Sequence, residues 1–358
     1  MAGLYVHIPF CKKRCLYCDF FSTTQLERRA EYVSAVLKEI AARKNERDEP
    51  IETIYIGGGT PSTLPIEAIK RILKAIDAPN AKEVTMELNP GDTNQEYLQA
   101  LRQTGINRLS IGIQTFQDNL LSLIGRRHTA QQAIEAVHMA QKAGFDNISI
   151  DLIYALPTQT MGQWKEDIEI ALGLNIQHIS CYGLMYEEGT ALTKRLEAGE
   201  IEAIDEETEN VMYDFLCERL KQAGFVHYEV SNFALPGKEA QHNSSYWNGT
   251  PYIGIGAGAH SYIGEVRSWN PSDLDAYIKG IHDGKLIRES ETLSEKDRYN
   301  ERIMLGLRTN KGVLRSEIRA DVSAQIAAGL LRETQEGHMV ATQQGLHILN
   351  RIIEDLMI

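Results

Sequence analysis

The chain has 358 residues, of which 43% are hydrophobic and 24% are charged. This ordinary globular composition excludes the collagen-like, disordered and disulfide-scaffold classes. The 37 lysines and arginines against 49 aspartates and glutamates give a net charge of −12, which disfavours binding to a nucleic-acid backbone. No apolar run is long enough for a membrane span, and residues 1–9 lack a signal-peptide pattern. We therefore expect a cytoplasmic protein of about two domains with no nucleic-acid partner and no integral membrane segment.

The first half of the chain alternates short β-branched runs with amphipathic helix-length segments. Such a βαβα pattern predicts a parallel sheet with right-handed crossovers, either open and doubly wound or closed into a barrel, and periodicity does not choose between them. Polar and glycine residues follow several strands, where α/β proteins place their sites. The predicted strands are 4–8, 53–56, 83–88, 108–113, 147–153 and 178–184, and the predicted helices are 31–42, 66–76, 130–143 and 162–174.

The pattern changes after about residue 200. A helix at 211–223 and a strand at 227–230 precede the segment 232–264, which is rich in glycine, serine, asparagine and aromatic residues and predicts a loop with short strands. Ser294 and Asp297 form a capping box before another helix. Helices near 315–320, 323–332 and 346–356 with a turn at 336–337 predict a small winged-helix-like domain. We expect domain boundaries that give 1–230, 231–290 and 291–358.

Three of the five cysteines lie within eight residues, as Cys11, Cys15 and Cys18, in a loop that follows the first predicted strand. This Cys-x3-Cys-x2-Cys spacing allows three thiolates to converge on one soft metal centre, and an iron–sulfur cubane held in this way keeps one iron open for a ligand. A zinc site and three metal-free thiols are the alternatives. Cys181 and Cys217 are expected to be small buried residues.

With Tyr17 directly before the last cysteine, the cysteine motif resembles the signature of radical S-adenosylmethionine proteins. The resemblance implies a [4Fe–4S] cluster on the three cysteines, with the amine and carboxylate of S-adenosylmethionine on the fourth iron. It also implies reductive cleavage of the sulfonium to a 5′-deoxyadenosyl radical. The implied fold is α/β, a partial (β/α)6 TIM-like barrel with a small C-terminal winged-helix-like domain.

Further segments follow in the order typical of the coproporphyrinogen III dehydrogenase-like (HemN-like) branch of that family, which includes heme chaperones. They are the opening segment 5–11, the glycine run 57–59, Glu-x-Asn-Pro at 87–90, 111–114, Gly-Arg at 125–126 and 150–157. By this resemblance the contacts to S-adenosylmethionine are Tyr5, Tyr17, Gly58, Gly59, Thr60, Glu87, Gln114, Arg126, Asp151 and Met185.

Two features favour the heme chaperone group within this branch. Phe20 stands where the dehydrogenases carry a further cysteine, which puts radical decarboxylation in doubt and leaves enzymatic activity an open question. The segment 242–247 resembles the His-Asn-x-x-Tyr-Trp motif associated with heme binding, and imidazole is a good axial ligand for heme iron. His242 is the expected ligand and His260 is its competitor, since the glycine-rich stretch before His260 lets a planar ligand approach.

The expected function is therefore binding of the cluster, S-adenosylmethionine and heme, with transfer of heme to an acceptor protein of unknown identity. An electron donor such as a flavodoxin or ferredoxin is the second expected partner. The alternatives are an oxygen-independent coproporphyrinogen III dehydrogenase and a radical enzyme that degrades heme. DNA binding by the winged-helix-like domain is disfavoured by the acidic charge of the chain.

Overall fold

Six parallel strands form the centre of the molecule. We analysed a computed structural model of the chain, which describes residues 2–46, 49–285 and 288–358. Consecutive strands are hydrogen-bonded neighbours and every pair is parallel. All six predicted strands are confirmed, with ends that differ by at most two residues from the prediction. The strands are β1 (Ala2–Ile8), β2 (Ile51–Gly58), β3 (Glu83–Leu88), β4 (Arg108–Gln114), β5 (Ile148–Tyr154) and β6 (His178–Gly183).

Helices connect these strands, and the four predicted between them are confirmed. Two further helices were not predicted. One of them, α3, begins after Asn94, whose side chain accepts a hydrogen bond from the backbone N–H of Tyr97, and it buries Leu98 and Leu101. The helices are α1 (Arg29–Ala42), α2 (Ile66–Ile76), α3 (Gln95–Arg102), α4 (Asp118–Leu123), α5 (Ala130–Lys142) and α6 (Met161–Gly173).

The central sheet continues beyond both of its edge strands. Next to β1 lies β9 (Tyr252–Ile255), which is parallel to it, and then β10 (His260–Ile263), β11 (Val266–Trp269) and β12 (Glu289–Thr292), which run antiparallel in turn. Next to β6 lie β8 (Asn232–Ala234) and β7 (Val226–Glu229), both in antiparallel pairs. The predicted strand at 227–230 is thus confirmed as β7. The domain boundaries at 230 and 290 stay predictions.

The sheet curls around one cavity. Side chains from all six central strands line this cavity, one from each being Tyr5, Tyr55, Glu87, Arg108, Asp151 and Ser180. The outer strands β1 and β6 pair with β9 and β8, so the curled sheet is an open barrel. The expected partial (β/α)6 barrel is therefore confirmed, and the doubly wound open sheet is the wrong alternative.

The segment after β6 contains more helix than the sequence predicts. Its helices are α7 (Ala191–Glu197), α8 (Glu206–Gln222), α9 (Gln241–Trp247) and α10 (Leu274–His282). Helix α9 lies inside the stretch predicted as a loop, so that prediction is wrong there. The backbone N–H groups of Gln241 and His242 donate to the Glu83 carboxylate at 2.9 and 3.0 Å. This distant carboxylate satisfies the free N–H groups of the first turn, which local sequence does not reveal.

The C-terminal region has its own apolar core, which includes Tyr299, Ile303, Met339 and Ile352. Helices pack there on a three-stranded antiparallel sheet in the order β13-β15-β14, in agreement with the winged-helix-like prediction. The capping box at Ser294 is confirmed at the start of α11. The elements are α11 (Glu295–Gly306), β13 (Val313–Leu314), α12 (Ser323–Ala327), β14 (Leu331–Glu333), β15 (His338–Ala341), α13 (Gln343–His347) and α14 (Leu349–Leu356).

Three helix predictions in this region differ from the structure. The helix near 315–320 is wrong, because Arg315–Glu317 forms only a single 3-10 turn. The helix predicted at 323–332 ends early, since Gly329 has a φ of +72° and the chain then pairs as β14. The helix predicted at 346–356 is preceded by α13 and begins only after Ile348, whose non-helical φ of −122° and ψ of 29° separate the two.

Candidate functional site

The barrel cavity, of about 580 Å³, collects most of the residues predicted to bind a cofactor. It opens at the carboxyl ends of the central strands, as expected for parallel α/β folds. Thirteen of the fifteen predicted site residues line it. They are Cys11, Cys15, Cys18, Tyr5, Tyr17, Gly58, Gly59, Thr60, Glu87, Gln114, Arg126, Asp151 and Met185. The structure does not bring His242 or His260 to this cavity.

The cysteine loop is held against the barrel by backbone hydrogen bonds. The N–H of Cys11 donates to the Thr23 carbonyl at 2.8 Å, and the N–H of Thr23 donates to the Pro9 carbonyl at 2.7 Å. Cys11 is buried beside Thr60, with 3.5 Å between Sγ and Oγ1. Burial raises the pKa of the Cys11 thiol and raises that of Cys18 to about 11. Both thiols are therefore protonated at neutral pH without a metal, and metal binding would release their protons.

Arg126 places a positive charge next to the cysteines. Its Nη1 lies 3.5 Å from Cys15 Sγ, and its other terminal nitrogen donates to the Gly112 carbonyl. Its Nε is buried and has no hydrogen-bond partner among the described residues. A guanidinium in this position offsets the negative charge of thiolates and leaves one donor for a ligand.

The donor set fits an iron–sulfur cluster. Three cysteines face one cavity, and softness favours iron or zinc on such thiolates. Across the described ranges, no group of three or more His, Cys, Asp or Glu side chains is arranged to hold a metal ion. In a cubane each thiolate binds a different iron, so its ligands are farther apart than those around one zinc ion. The three cysteines, the only ones that line the cavity among the described residues, are the donors that a cluster would use.

The glycine run at the end of β2 is tied to Glu87. The Glu87 carboxylate accepts hydrogen bonds from the Gly58 N–H at 3.0 Å and from the Tyr55 hydroxyl at 2.9 Å. Burial raises the pKa of Glu87 to about 7, with a further increase from Asp151. Gly58 has a φ of +117°, a conformation that favours glycine. These contacts hold the Glu87 carboxylate in the cavity wall, where it is available as a hydrogen-bond acceptor for a ligand.

The floor of the cavity carries polar residues with a period of two. Arg108, Ser110, Gly112 and Gln114 alternate along β4 and all line the cavity. The Ser110 hydroxyl donates to Asp151 at 3.1 Å, and burial raises the pKa of that carboxyl. Arg108 and Ser110 were not among the predicted site residues. Polar residues at every second position of an otherwise apolar parallel strand were the signal that could have identified them.

His242 is buried below the barrel, with 1% of its surface exposed. Its Nδ1 lies 2.9 Å from the Thr53 hydroxyl and its Nε2 lies 2.9 Å from the Tyr246 hydroxyl, while its ring stacks on Tyr55. Burial, with Arg108 nearby, lowers the pKa of His242 to about 3, so the ring is neutral. His260 is exposed on β10 and stacks on Trp269 at 5.8 Å between ring centroids.

A second cavity, of about 970 Å³, lies between the barrel and the C-terminal region. It shares no lining residue with the first, and helix α9 separates the two. Asn243 of that helix lines the first cavity, whereas Tyr246 and Trp247 line the second. The second cavity also exposes Lys311 and His338. Its walls combine aromatic side chains with arginines that pair with glutamates, as Arg267 does with Glu301 at 2.6 Å, and its size suits a large ligand.

Comparison with known proteins agrees with this architecture. The family model of the radical SAM superfamily matches residues 5–171 of this chain. The heme chaperone HemW of Lactococcus lactis is 42% identical over 315 residues, which cover 87% of this chain and 82% of that protein. The HemW of Synechocystis is 40% identical over 325 residues, covering 86% and 78%. The chain belongs to the HemW family of heme chaperones.

The fold of this HemW family member also occurs in a solved structure of HemN, the coproporphyrinogen III oxidase of Escherichia coli. The two chains superpose with a TM-score of 0.85 over 99% of this chain and 90% of the other, at 23% identity. At that identity the likeness shows the fold alone. In the HemW family member, Phe20 is 66% exposed at the mouth of the barrel cavity, beside Met185, which is 67% exposed. Within the described residues, no helix has the length and apolarity of a membrane span.

Proposed function

We propose that this protein is a heme carrier that holds a [4Fe–4S] cluster and S-adenosylmethionine in the barrel cavity and heme in the second cavity. The observation that carries the proposal is the position of helix α9. This helix contains the His-Asn-x-x-Tyr-Trp motif and borders both cavities, so that Asn243 faces one and Trp247 the other. A change at the cluster would therefore reach the heme through this one helix.

In the barrel cavity, Cys11, Cys15 and Cys18 would hold the cluster. One-electron reduction is the chemistry that the cluster supplies when it is bound. Gly58 and Gly59 allow close approach of the amino-acid part of S-adenosylmethionine. Glu87 and Asp151 accept hydrogen bonds from the amine or the ribose hydroxyls, and Arg126 offers its free Nε to a carboxylate.

The remaining predicted contacts complete this pocket. Tyr5, Tyr17, Thr60, Gln114 and Met185 all face the same space. Gln114 has a φ of +77° at the end of β4, in the left-handed region that costs about 1–3 kcal/mol for such a residue. Such strain at a cavity wall agrees with a role in ligand binding.

In the second cavity, Tyr246 and Trp247 would lie against the porphyrin face. His242 is the proposed axial ligand, because its low pKa keeps the imidazole neutral and its Nε2 points to Tyr246, a residue of the cavity wall. For Nε2 of His242 to bind the heme iron, the Tyr246 hydroxyl must move away from that nitrogen. His260 is the competing ligand, and neither it nor His242 lines either cavity.

A heme acceptor protein and a one-electron donor are the proposed partners. Lys12, Lys13 and Arg14 are exposed next to the cluster loop of an otherwise acidic chain. Lys12 pairs with Asp92 at 2.7 Å, which leaves Lys13 and Arg14 to attract an acidic donor such as a flavodoxin or ferredoxin. Five unpaired cysteines fit a reducing compartment, and we place the protein in the cytoplasm.

Hemin titration tests the heme site. The anaerobically reconstituted wild type is expected to bind one hemin per chain with a saturable Soret change. His242→Ala is expected to shift the Soret band and weaken binding about tenfold or more, because an axial bond is lost. His260→Ala serves as the matched control and is expected to leave the spectrum unchanged.

The outcomes separate the two ligands. An unchanged spectrum in His242→Ala would remove His242 as the ligand, and loss of the band in His260→Ala would assign His260. Tyr246→Phe frees Nε2 of His242 and is expected to retain or strengthen binding. No saturable binding by the wild type would overturn the heme-carrier proposal itself.

A further inference from the structure

Two arginines are almost completely buried, and their surroundings differ. Arg43 and Arg108 are each 1% exposed. The guanidinium of Arg43 donates to Glu46 at 2.9 Å, to the Gly254 carbonyl at 2.6 Å and to the Ser261 hydroxyl at 3.1 Å, and it also contacts Glu39. This is the expected environment of a buried charge, since its donors are all matched.

The guanidinium of Arg108 has no such partners. Within residues 2–46, 49–285 and 288–358, it makes no side-chain hydrogen bond and no ion pair within 4.0 Å, and its Nε is buried without an acceptor. Arginine stays protonated in proteins. A buried positive charge without hydrogen bonds destabilises a fold, so its presence requires an explanation outside the ligand-free chain.

The buried carboxylates of this part of the barrel accept hydrogen bonds from groups other than Arg108. Asp151 accepts from Ser110, Glu87 accepts from Tyr55 and Gly58, and Glu83 accepts from the start of α9. Glu229 accepts from Asn232 and from the backbone. The neighbouring imidazoles of His178 and His242 are neutral, because burial first and Arg108 second lower their pKa values. Burial raises the pKa of Asp151, and Arg108 is close enough for its charge to oppose that rise, but among the described residues no carboxylate forms an ion pair with the guanidinium within 4.0 Å.

Arg108 faces the cavity in which a ligand would sit. It is the first residue of β4 and lines the barrel cavity on the same face as Ser110, deeper than Gln114 at the carboxyl end of the strand. A guanidinium presents a planar fork that binds a carboxylate through two parallel hydrogen bonds. Arg108 offers these donors to the cavity, and the described residues provide no carboxylate that binds them.

We propose that Arg108 is a carboxylate-binding residue on the floor of the barrel cavity. The inference rests on the proposed function, since the carboxylate belongs either to S-adenosylmethionine or to a propionate of a tetrapyrrole that enters the barrel. Arg126 lies at the cluster loop, so Arg108 is a second and separate anion-binding group in the same cavity.

The test compares Arg108→Met with Arg43→Met in the cluster-reconstituted chain. Because Arg108 is unpaired without ligand, Arg108→Met is expected to keep or raise the thermal midpoint, whereas Arg43→Met is expected to lower it by several degrees. Arg108→Met is also expected to weaken binding of one carboxylate ligand by about tenfold to a hundredfold. Arg108→Lys retains the positive charge but not the two parallel donors, so its affinity for the carboxylate ligand is expected to lie between those of the wild type and Arg108→Met.

Neutral ligand analogues identify the carboxylate. Binding of S-adenosylmethionine is compared with decarboxylated S-adenosylmethionine, and binding of hemin with its dimethyl ester, each by equilibrium titration. For the ligand whose carboxylate Arg108 binds, the wild type is expected to bind the carboxylate form more tightly than the neutral analogue, and Arg108→Met is expected to bind the two equally. The pair that loses its discrimination is the source of the carboxylate.

Two results would overturn the proposal. One is an Arg108→Met variant that fails to fold or loses as much stability as Arg43→Met, which would make Arg108 a structural residue. The other is unchanged binding of both carboxylate ligands, which would refute the role of Arg108 while the proposed function stands. A wild type that binds neither ligand would overturn both the role of Arg108 and the proposed function. If S-adenosylmethionine binds through Arg108 and hemin does not bind, only the proposed function is refuted.

Discussion

Cys15→Ser is expected to abolish the iron–sulfur cluster. Cys15 is the proposed middle ligand of the loop and lies 3.5 Å from Arg126, a cation that would offset the charge of a bound cluster. A serine oxygen is a harder ligand that stays protonated at neutral pH, so it does not replace a thiolate. Iron and sulfide analysis after anaerobic reconstitution is expected to fall from about four of each per chain to a small residue.

Cys217→Ser is the matched control for this experiment. Cys217 is half-buried on α8, away from the barrel cavity, and its Sγ lies 4.0 Å from His227 Nδ1. The substitution is expected to leave iron, sulfide and the visible spectrum unchanged. A full [4Fe–4S] cluster in Cys15→Ser, or an equal loss in both variants, would contradict the assignment of the three ligands.

Gly59→Ala is expected to have the second-largest effect, because the added methyl group has no space. A Cβ atom at this position would lie 2.8 Å from Cys11 Sγ and 2.9 Å from the backbone carbonyl of Pro9. The Gly59 N–H also donates to the Ile8 carbonyl at 2.9 Å, which fixes the distance between the two segments. The cysteine loop must therefore shift, at a cost of about 1–3 kcal/mol.

The expected readouts are a lower thermal midpoint together with reduced cluster content after reconstitution. Gly173→Ala provides the control, since no atom lies within 4 Å of its added Cβ and its φ is unstrained. That variant is expected to behave as the wild type. A Gly59→Ala protein with full cluster content and unchanged stability would show that the loop is not packed against Gly59 as described.

The sequence predicts the barrel well because its signals are local. Each central strand is a short β-branched run, and each of the four predicted helices carries an apolar face at the helical period. The cofactor residues follow from motif order, and the structure brings thirteen of the fifteen to one cavity. Their roles as ligands stay predictions, as do the domain boundaries and the choice of His242.

The remaining features depend on contacts between distant segments. Helix α9 begins where Glu83, about 160 residues earlier, accepts its first N–H groups. The unpartnered Nε of Arg108 becomes apparent only when the other strands of the barrel enclose the cavity around it. Similarly, the helix predicted at 315–320 is replaced by a turn because Val313 and Leu314 pair with β15. No local pattern encodes these tertiary constraints.

The central claim is that this member of the HemW family carries heme and does not decarboxylate porphyrinogens. Phe20, which is 66% exposed at the cavity mouth, stands in place of the further cysteine of the dehydrogenases that the chain resembles. The most direct measurement incubates the reconstituted, hemin-binding protein anaerobically with S-adenosylmethionine, a reductant and coproporphyrinogen III. We expect no protoporphyrinogen above a protein-free control, and its formation over multiple turnovers would contradict a role as a heme carrier without decarboxylase activity.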